Sequence, residues 1–239
     1  MSFLDRFKTA PQAPAAPTAV ATPPASAPAA NGLLLTKKVV KGQSELLVRK
    51  SSSGDEFTLI TTWGEKDYDL YALVEYTDGH VETVSCFGTM RRPHDFSLKT
   101  SDNAVVHVSG DKTAYGDDLP QEVITIRATP KMRCIVPVVY SAKNSGTGSF
   151  HRYRVSTYVI RGTHREVPRN NSAEMVHVDA VDANRDDHVY TFVPAVIHIS
   201  PEGARIEAVE LYSRRNSELR PTVKNGKVSM DAGEENSGK

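Results

Sequence analysis

Three strand-like runs follow one another almost without pause: Phe57-Thr-Leu-Ile-Thr-Thr-Trp63, Tyr68-Asp-Leu-Tyr-Ala-Leu-Val-Glu-Tyr76 and Val81-Glu-Thr-Val-Ser-Cys-Phe87. The second and third are separated by Asp78-Gly79, a dipeptide that supplies the positive φ a tight hairpin needs. β-Branched and aromatic side chains fit a pleated, half-buried surface, and both kinds dominate these runs. Similar runs recur at 104–108, 123–128, 134–140, 153–160, 175–180, 190–199 and 205–212, with Pro201-Glu-Gly203 as a turn between the last two. No segment sustains a long 3.6-residue period. Many short strands set apart by turns predict an all-β fold, a β-sandwich of two mostly antiparallel sheets.

The flanks read differently. Between residues 9 and 31 the chain is uncharged Pro, Ala, Thr and Ser, and Pro11, Pro14, Pro17, Pro23, Pro24 and Pro28 forbid a continuous helix. Before that stretch, Phe3, Leu4 and Phe7 stand at the spacing of a short amphipathic helix. After residue 224 the composition is mostly Gly, Asn, Ser, Glu and Lys, with almost nothing to bury. The sequence therefore divides into a disordered leader over 1–31, one β-sandwich domain over 32–223 and a disordered tail over 224–239.

Charge and cysteine usage narrow the function classes. Lys plus Arg equal Asp plus Glu at 29 each, giving no net charge, whereas nucleic-acid binding draws most of its affinity from a basic excess. The local run Arg152, Arg154, Arg161, Arg165 and Arg169 would be split between two faces by strand alternation. Nucleic acid is accordingly not an expected partner. The two cysteines, Cys86 and Cys134, are too few for a disulfide framework, and their spacing matches no zinc pattern. They read as reduced, buried thiols. No apolar run has signal-peptide or membrane-spanning quality, which makes a cytoplasmic location the expectation.

Two acidic features carry the chemistry. Asp67 and Asp69 flank one residue at the entrance of a strand, where side chains two apart share a face. Their like charges repel unless a divalent cation, or a neighbouring Lys or Arg, sits between them. Further on, Gly110-Asp-Lys-Thr-Ala-Tyr-Gly-Asp-Asp-Leu-Pro-Gln-Glu122 gathers Asp111, Asp117, Asp118 and Glu122 between two strands, with glycines that let the backbone fold tightly. Calcium takes six to eight oxygens in flexible geometry, and such a loop offers them; a solvated acidic turn is the alternative. The spacing of Asp111, Gly116 and Glu122 mimics an EF-hand skeleton. Thr113 and Tyr115 stand where that loop wants Asp or Asn, and strands flank it instead of helices, so the EF-hand reading fails.

Together these features resemble the TerD family, the bacterial tellurite-resistance and stress-response domains. The resemblance runs from about 32 to 223. It is carried by Leu34-Leu-Thr-Lys-Lys38, Asp67-Tyr-Asp-Leu-Tyr-Ala72, Val105-Val-His107, the acidic Gly110–Glu122 loop with Val123-Ile124, the later strands around 136–140 and 150–160, and Glu210-Leu-Tyr212. Tyr71 replaces an Asp usual in the family, Leu119-Pro-Gln121 interrupts the acidic run, and Lys112 adds a positive charge. The resemblance implies a calcium-binding, non-enzymatic interaction module in tellurite or metal-oxyanion resistance or phage defence. Its partners would be other stress-response proteins, including ones at a membrane surface. It also implies Asp67, Asp69, Asp111, Asp117, Asp118 and Glu122 as calcium ligands.

Other residues carry less. Asp179, Asp182, Asn184, Asp186 and Asp187 read as an ordinary polar loop, and His107, His177 and His198, each alone in an apolar strand, as structural histidines. No nucleophile elbow or phosphate-binding loop appears, so no enzyme is expected. A metal-independent scaffold binding partners through its sheet edges is the competing reading.

Overall fold

The structure, a computed structural model, describes residues 36–49, 56–108, 119–143, 148–169 and 173–237. The strands are β1 Thr36–Lys38, β2 Ser44–Arg49, β3 Glu56–Thr62, β4 Asp69–Tyr76, β5 Val81–Val84, β6 Val105–His107 and β7 Gln121–Arg127. They continue as β8 Met132–Tyr140, β9 Ser156–Arg161, β10 Met175–Asp179, β11 Thr191–Ser200, β12 Gly203–Tyr212, β13 Thr222–Lys224 and β14 Lys227–Ser229. One sheet has the order β1-β10-β9-β3-β7-β6, the other β2-β12-β11-β8-β4-β5, and β13-β14 form a hairpin of their own. All pairings are antiparallel except β1 with β10. The β-sandwich expected from the strand pattern is the observed architecture.

Alternation decides which side chains meet between the sheets. Leu70, Ala72 and Val74 of β4 face Val105 of β6 and Ile124 and Ile126 of β7 in one continuous buried cluster. The opposite face of β4 is buried as well: Tyr71 and Leu73 join Val136, Val138 and Tyr140 of β8 under Val223 and Val228 from the C-terminal hairpin. On the other sheet, Ile60, Val123, Ile160 and Met175 are covered by Val167 and Ala173. Burial on both faces explains why β4 and β8 read as apolar runs without clear alternation.

The sandwich closes along one side through residues 97–100. Ser85 N–H donates to Ser97 O at 2.8 Å, so the chain leaves β5 at Val84 and does not continue pairing to Phe87. Across the gap, His107 N–H donates to Leu98 O at 2.7 Å and Thr100 N–H to Val105 O at 3.0 Å. This segment ties the edge strand of each sheet to the other.

The C-terminal expectation needs correction. The segment from 224 is folded through Ser237. Asn225 and Gly226, at φ 52° and 71°, form the turn between β13 and β14, and the carboxylate of Glu75 accepts both their N–H groups, at 2.6 and 2.7 Å. The Arg220 guanidinium lies 5.3 Å from the Tyr71 ring and 5.1 Å from that of Phe87. It also donates to Phe87 O, Gly88 O and Asn236 Oδ1, at 3.0, 2.7 and 2.6 Å. Polar composition misled here because the buried Glu75 carboxylate and the partly buried Arg220 guanidinium hold the segment down together with a few apolar side chains, Val223, Val228 and Met230. The predicted leader over 1–31 and its N-terminal helix lie outside the described residues.

Candidate metal centre

Strand β4 is longer than its edge partner. The β4–β5 pairing ends at Ala72 opposite Val84, so Leu70 has no ladder partner on that side. Two side chains from the facing sheet take its place. Glu122 Oε2 accepts the Leu70 N–H, and His107 Nε2 lies 3.0 Å from the Leu70 carbonyl oxygen. Glu122 is on the inward face of β7 with Ile124 and Ile126, and His107 on the inward face of β6 with Val105. Both side chains are buried, and Nε2 and Oε2 are 3.5 Å apart.

Cys86 completes the group. Just past β5, where the chain turns toward Ser97, its half-buried thiol comes to the same place. Donor atoms of Cys86, His107 and Glu122 lie within 4.8 Å of one another. The thiol also donates to Asp69 Oδ1 at 3.9 Å. Asp69 is buried and lies at the start of β4 on the side of Tyr71, facing away from the sandwich interior, so Cys86 connects carboxylates that leave β4 and β7 in different directions.

The six expected ligands therefore separate. Asp69 and Glu122 arrive on either side of Cys86. Asp67 precedes β4 in the exposed 64–67 turn, where it does not share the strand alternation that placed it beside Asp69. Asp111, Asp117 and Asp118 lie outside the described residues. The stems of their loop are described: Val108 N–H donates to Val123 O at 3.0 Å, and Trp63 N–H to Pro120 O at 3.2 Å. Those stems join it to β6 at His107 and to β7 one residue before Glu122, so the acidic loop is attached to the strands that carry the buried pair.

Sequence reasoning set Cys86 and His107 aside as structural. They stand 21 positions apart (107 minus 86), on segments that meet only through the closure of the two sheets, so no local spacing could have joined them. Three acids of the 179–187 group are held by contacts within the fold. Asp182 accepts from Asn184 N–H at 3.0 Å, and Asp186 accepts His151 and Arg152 N–H at 2.9 and 3.2 Å. Asp179 pairs with Lys38 Nζ at 2.7 Å. Burial works to raise its carboxyl, but the Lys38 and Ser156 bonds outweigh it and hold the group below the ordinary carboxylate range. Of the arginine run, Arg161 pairs with Glu174 at 3.3 Å and Arg152 lies over Tyr153.

His107 Nδ1 is buried with no hydrogen-bond partner among the described residues, while Nε2 lies against the Leu70 carbonyl oxygen. The other cysteine, Cys134, is buried in β8; that burial, followed by the nearby Glu75 carboxylate, pushes its thiol up to about 12.

No family model matches the chain, and no curated protein matches it. Among solved structures, a crystal structure of a protein of unknown function, SAV2460, is similar over 70% of this chain and 92% of that one, with 10% identity and a TM-score of 0.43. That likeness is too slight to argue from. No helix among the described residues is long and apolar enough to cross a membrane.

Proposed function

We propose that the chain is a calcium-dependent, non-enzymatic interaction module of the TerD type, acting in the cytoplasm in a stress response and presenting its acidic loop to a partner protein. One observation carries the reading. Glu122, at the exit of the Gly110–Glu122 loop, reaches across the sandwich to the β4 backbone next to Asp69, so the loop is tied at its exit to the segment that carries Asp67 and Asp69. A cation that joins the loop acids to an acid of that segment gains oxygens from both, and its binding free energy adds to that of the fold. The resemblance of residues 67–72 and 110–122 to the family supports calcium as that cation.

Thermal melting of the full chain in calcium and in EGTA tests this. A melting temperature that rises with calcium and returns with chelator is the expected result; one indifferent to both would remove calcium from the reading.

A metal-independent scaffold is favoured by one specific contact. Glu122 already accepts the Leu70 N–H and so has a structural use without any ion. Under that reading, Asp111→Asn combined with Asp117→Asn leaves partner binding unchanged. Under the calcium reading the double variant loses it.

A further inference from the structure

We propose that Cys86, His107 and Glu122 form a binding site for a divalent transition metal of the Zn2+ class. It takes Glu122 from the set that the resemblance implies for calcium, and it stands whether or not the other loop acids bind that ion.

The donor chemistry comes first. Calcium takes oxygen ligands, whereas thiolate and imidazole select zinc and its neighbours, and one sulfur, one nitrogen and one carboxylate oxygen form a common zinc set. The three donor atoms already lie within 4.8 Å of one another. Tetrahedral zinc, at roughly 2.0–2.3 Å from each ligand, holds its donors roughly 3.3–3.7 Å apart. Closing the site therefore needs side-chain adjustment and no change of fold. Solvent at the half-buried Cys86 would supply the fourth position.

A second, independent observation concerns His107. A histidine that ligates a metal usually donates its other ring N–H to a backbone carbonyl or carboxylate, which fixes the tautomer and turns the ring. Here Nε2 faces the Leu70 carbonyl at 3.0 Å, leaving Nδ1 as the nitrogen whose lone pair is available. That atom is buried and has no partner among the described residues. A buried polar atom without a partner is costly, and a metal ion would satisfy it. Glu122 is held in the same manner, with Oε2 taken by the Leu70 N–H. Both side chains are thus oriented by the backbone of one residue, Leu70 of β4. Cys86, less buried than the other two, lies on the side from which an ion could enter.

On binding, the Cys86 thiol releases one proton to solvent, and the ion gains a sulfur–metal bond in its place, so affinity rises with pH. Cobalt(II) is the probe. The full chain is titrated with cobalt while thiolate-to-cobalt charge-transfer absorption is recorded, and zinc and then excess calcium are used as competitors. The expected result is one cobalt per chain, displaced by zinc and indifferent to calcium. Absorption should be lost in Cys86→Ser, kept in Cys134→Ser, and accompanied by roughly tenfold or greater weakening in Glu122→Gln. Wild-type chain with no thiolate–cobalt absorption, or absorption that survives Cys86→Ser, overturns the proposal. Far-UV circular dichroism checks each variant's fold; should one fail to fold, the wild-type titration with its zinc competition decides alone. Asp111→Asn with Asp117→Asn separates this site from the loop reading: the double variant should lose the calcium response and keep the cobalt spectrum.

Discussion

Replacing Glu122 tests how the two sheets are joined at the candidate centre. With metal removed by EDTA, Glu122→Ala takes away the acceptor of a buried N–H, that of Leu70, and leaves it unsatisfied. A stranded buried donor costs about 1–3 kcal/mol. The lost Cγ methylene adds about 0.8 kcal/mol. The sum is about 2–4 kcal/mol. For a domain of this size each kcal/mol shifts Tm by roughly 2–4 °C, so differential scanning calorimetry should show a fall of about 4–16 °C. Glu122→Gln keeps the methylenes and an oxygen that can accept the same N–H, and it removes a buried negative charge, so it should stay within about 1 kcal/mol of wild type. The contrast between the two variants is the decisive quantity. An alanine variant as stable as wild type, or a glutamine variant as unstable as the alanine one, would show that Glu122 does not act through Leu70.

Three further predictions probe separate parts of the molecule. Gly148→Ala should be strongly destabilising, by roughly 3 kcal/mol or more in urea unfolding, because an added Cβ would lie 1.8 Å from Val189 O at a position with φ +77°. Asp179 has a folded-state carboxyl held below its ordinary value, so its contribution is present above the unfolded value of about 3.9 and is lost as pH falls through the folded one. With Lys38 half exposed this contribution is below about 1 kcal/mol; the gap in urea midpoint between wild type and Asp179→Asn should be small at neutral pH and vanish in acid. Native-state maleimide labelling should modify Cys86 and spare Cys134, whose thiol burial pushes up to about 12, and zinc should slow the labelling of Cys86.

Much of the fold was readable because it depends on local pattern. The Asp78-Gly79 hairpin, the β-branched runs and the turn at Gly203 each specify a strand or its end without reference to distant residues. The C-terminal hairpin was not readable in this way. Its stability comes from Glu75, 150 positions earlier (225 minus 75), accepting the Asn225 N–H, and from Arg220 stacking on Tyr71 and Phe87. Neither contact leaves a trace in the composition of 224–237. The candidate site divides along the same line. Asp69 and Glu122 drew notice as carboxylates in acidic surroundings. His107 and Cys86 were passed over because their surroundings in sequence are apolar and their meeting depends on how the 97–100 segment closes one sheet onto the other. Asp67 was misjudged for a related reason: strand alternation places a residue only within the strand, and β4 begins at Asp69.

Native mass spectrometry of the full chain, exchanged into buffer containing both calcium and zinc, tests most directly whether this sandwich holds divalent ions. The account predicts a metal-loaded mass with one zinc that Cys86→Ser abolishes, and calcium adducts that Asp111→Asn with Asp117→Asn removes. A wild-type chain that stays at its bare mass with both ions present would contradict the account and leave the acids and the thiol as parts of the scaffold alone.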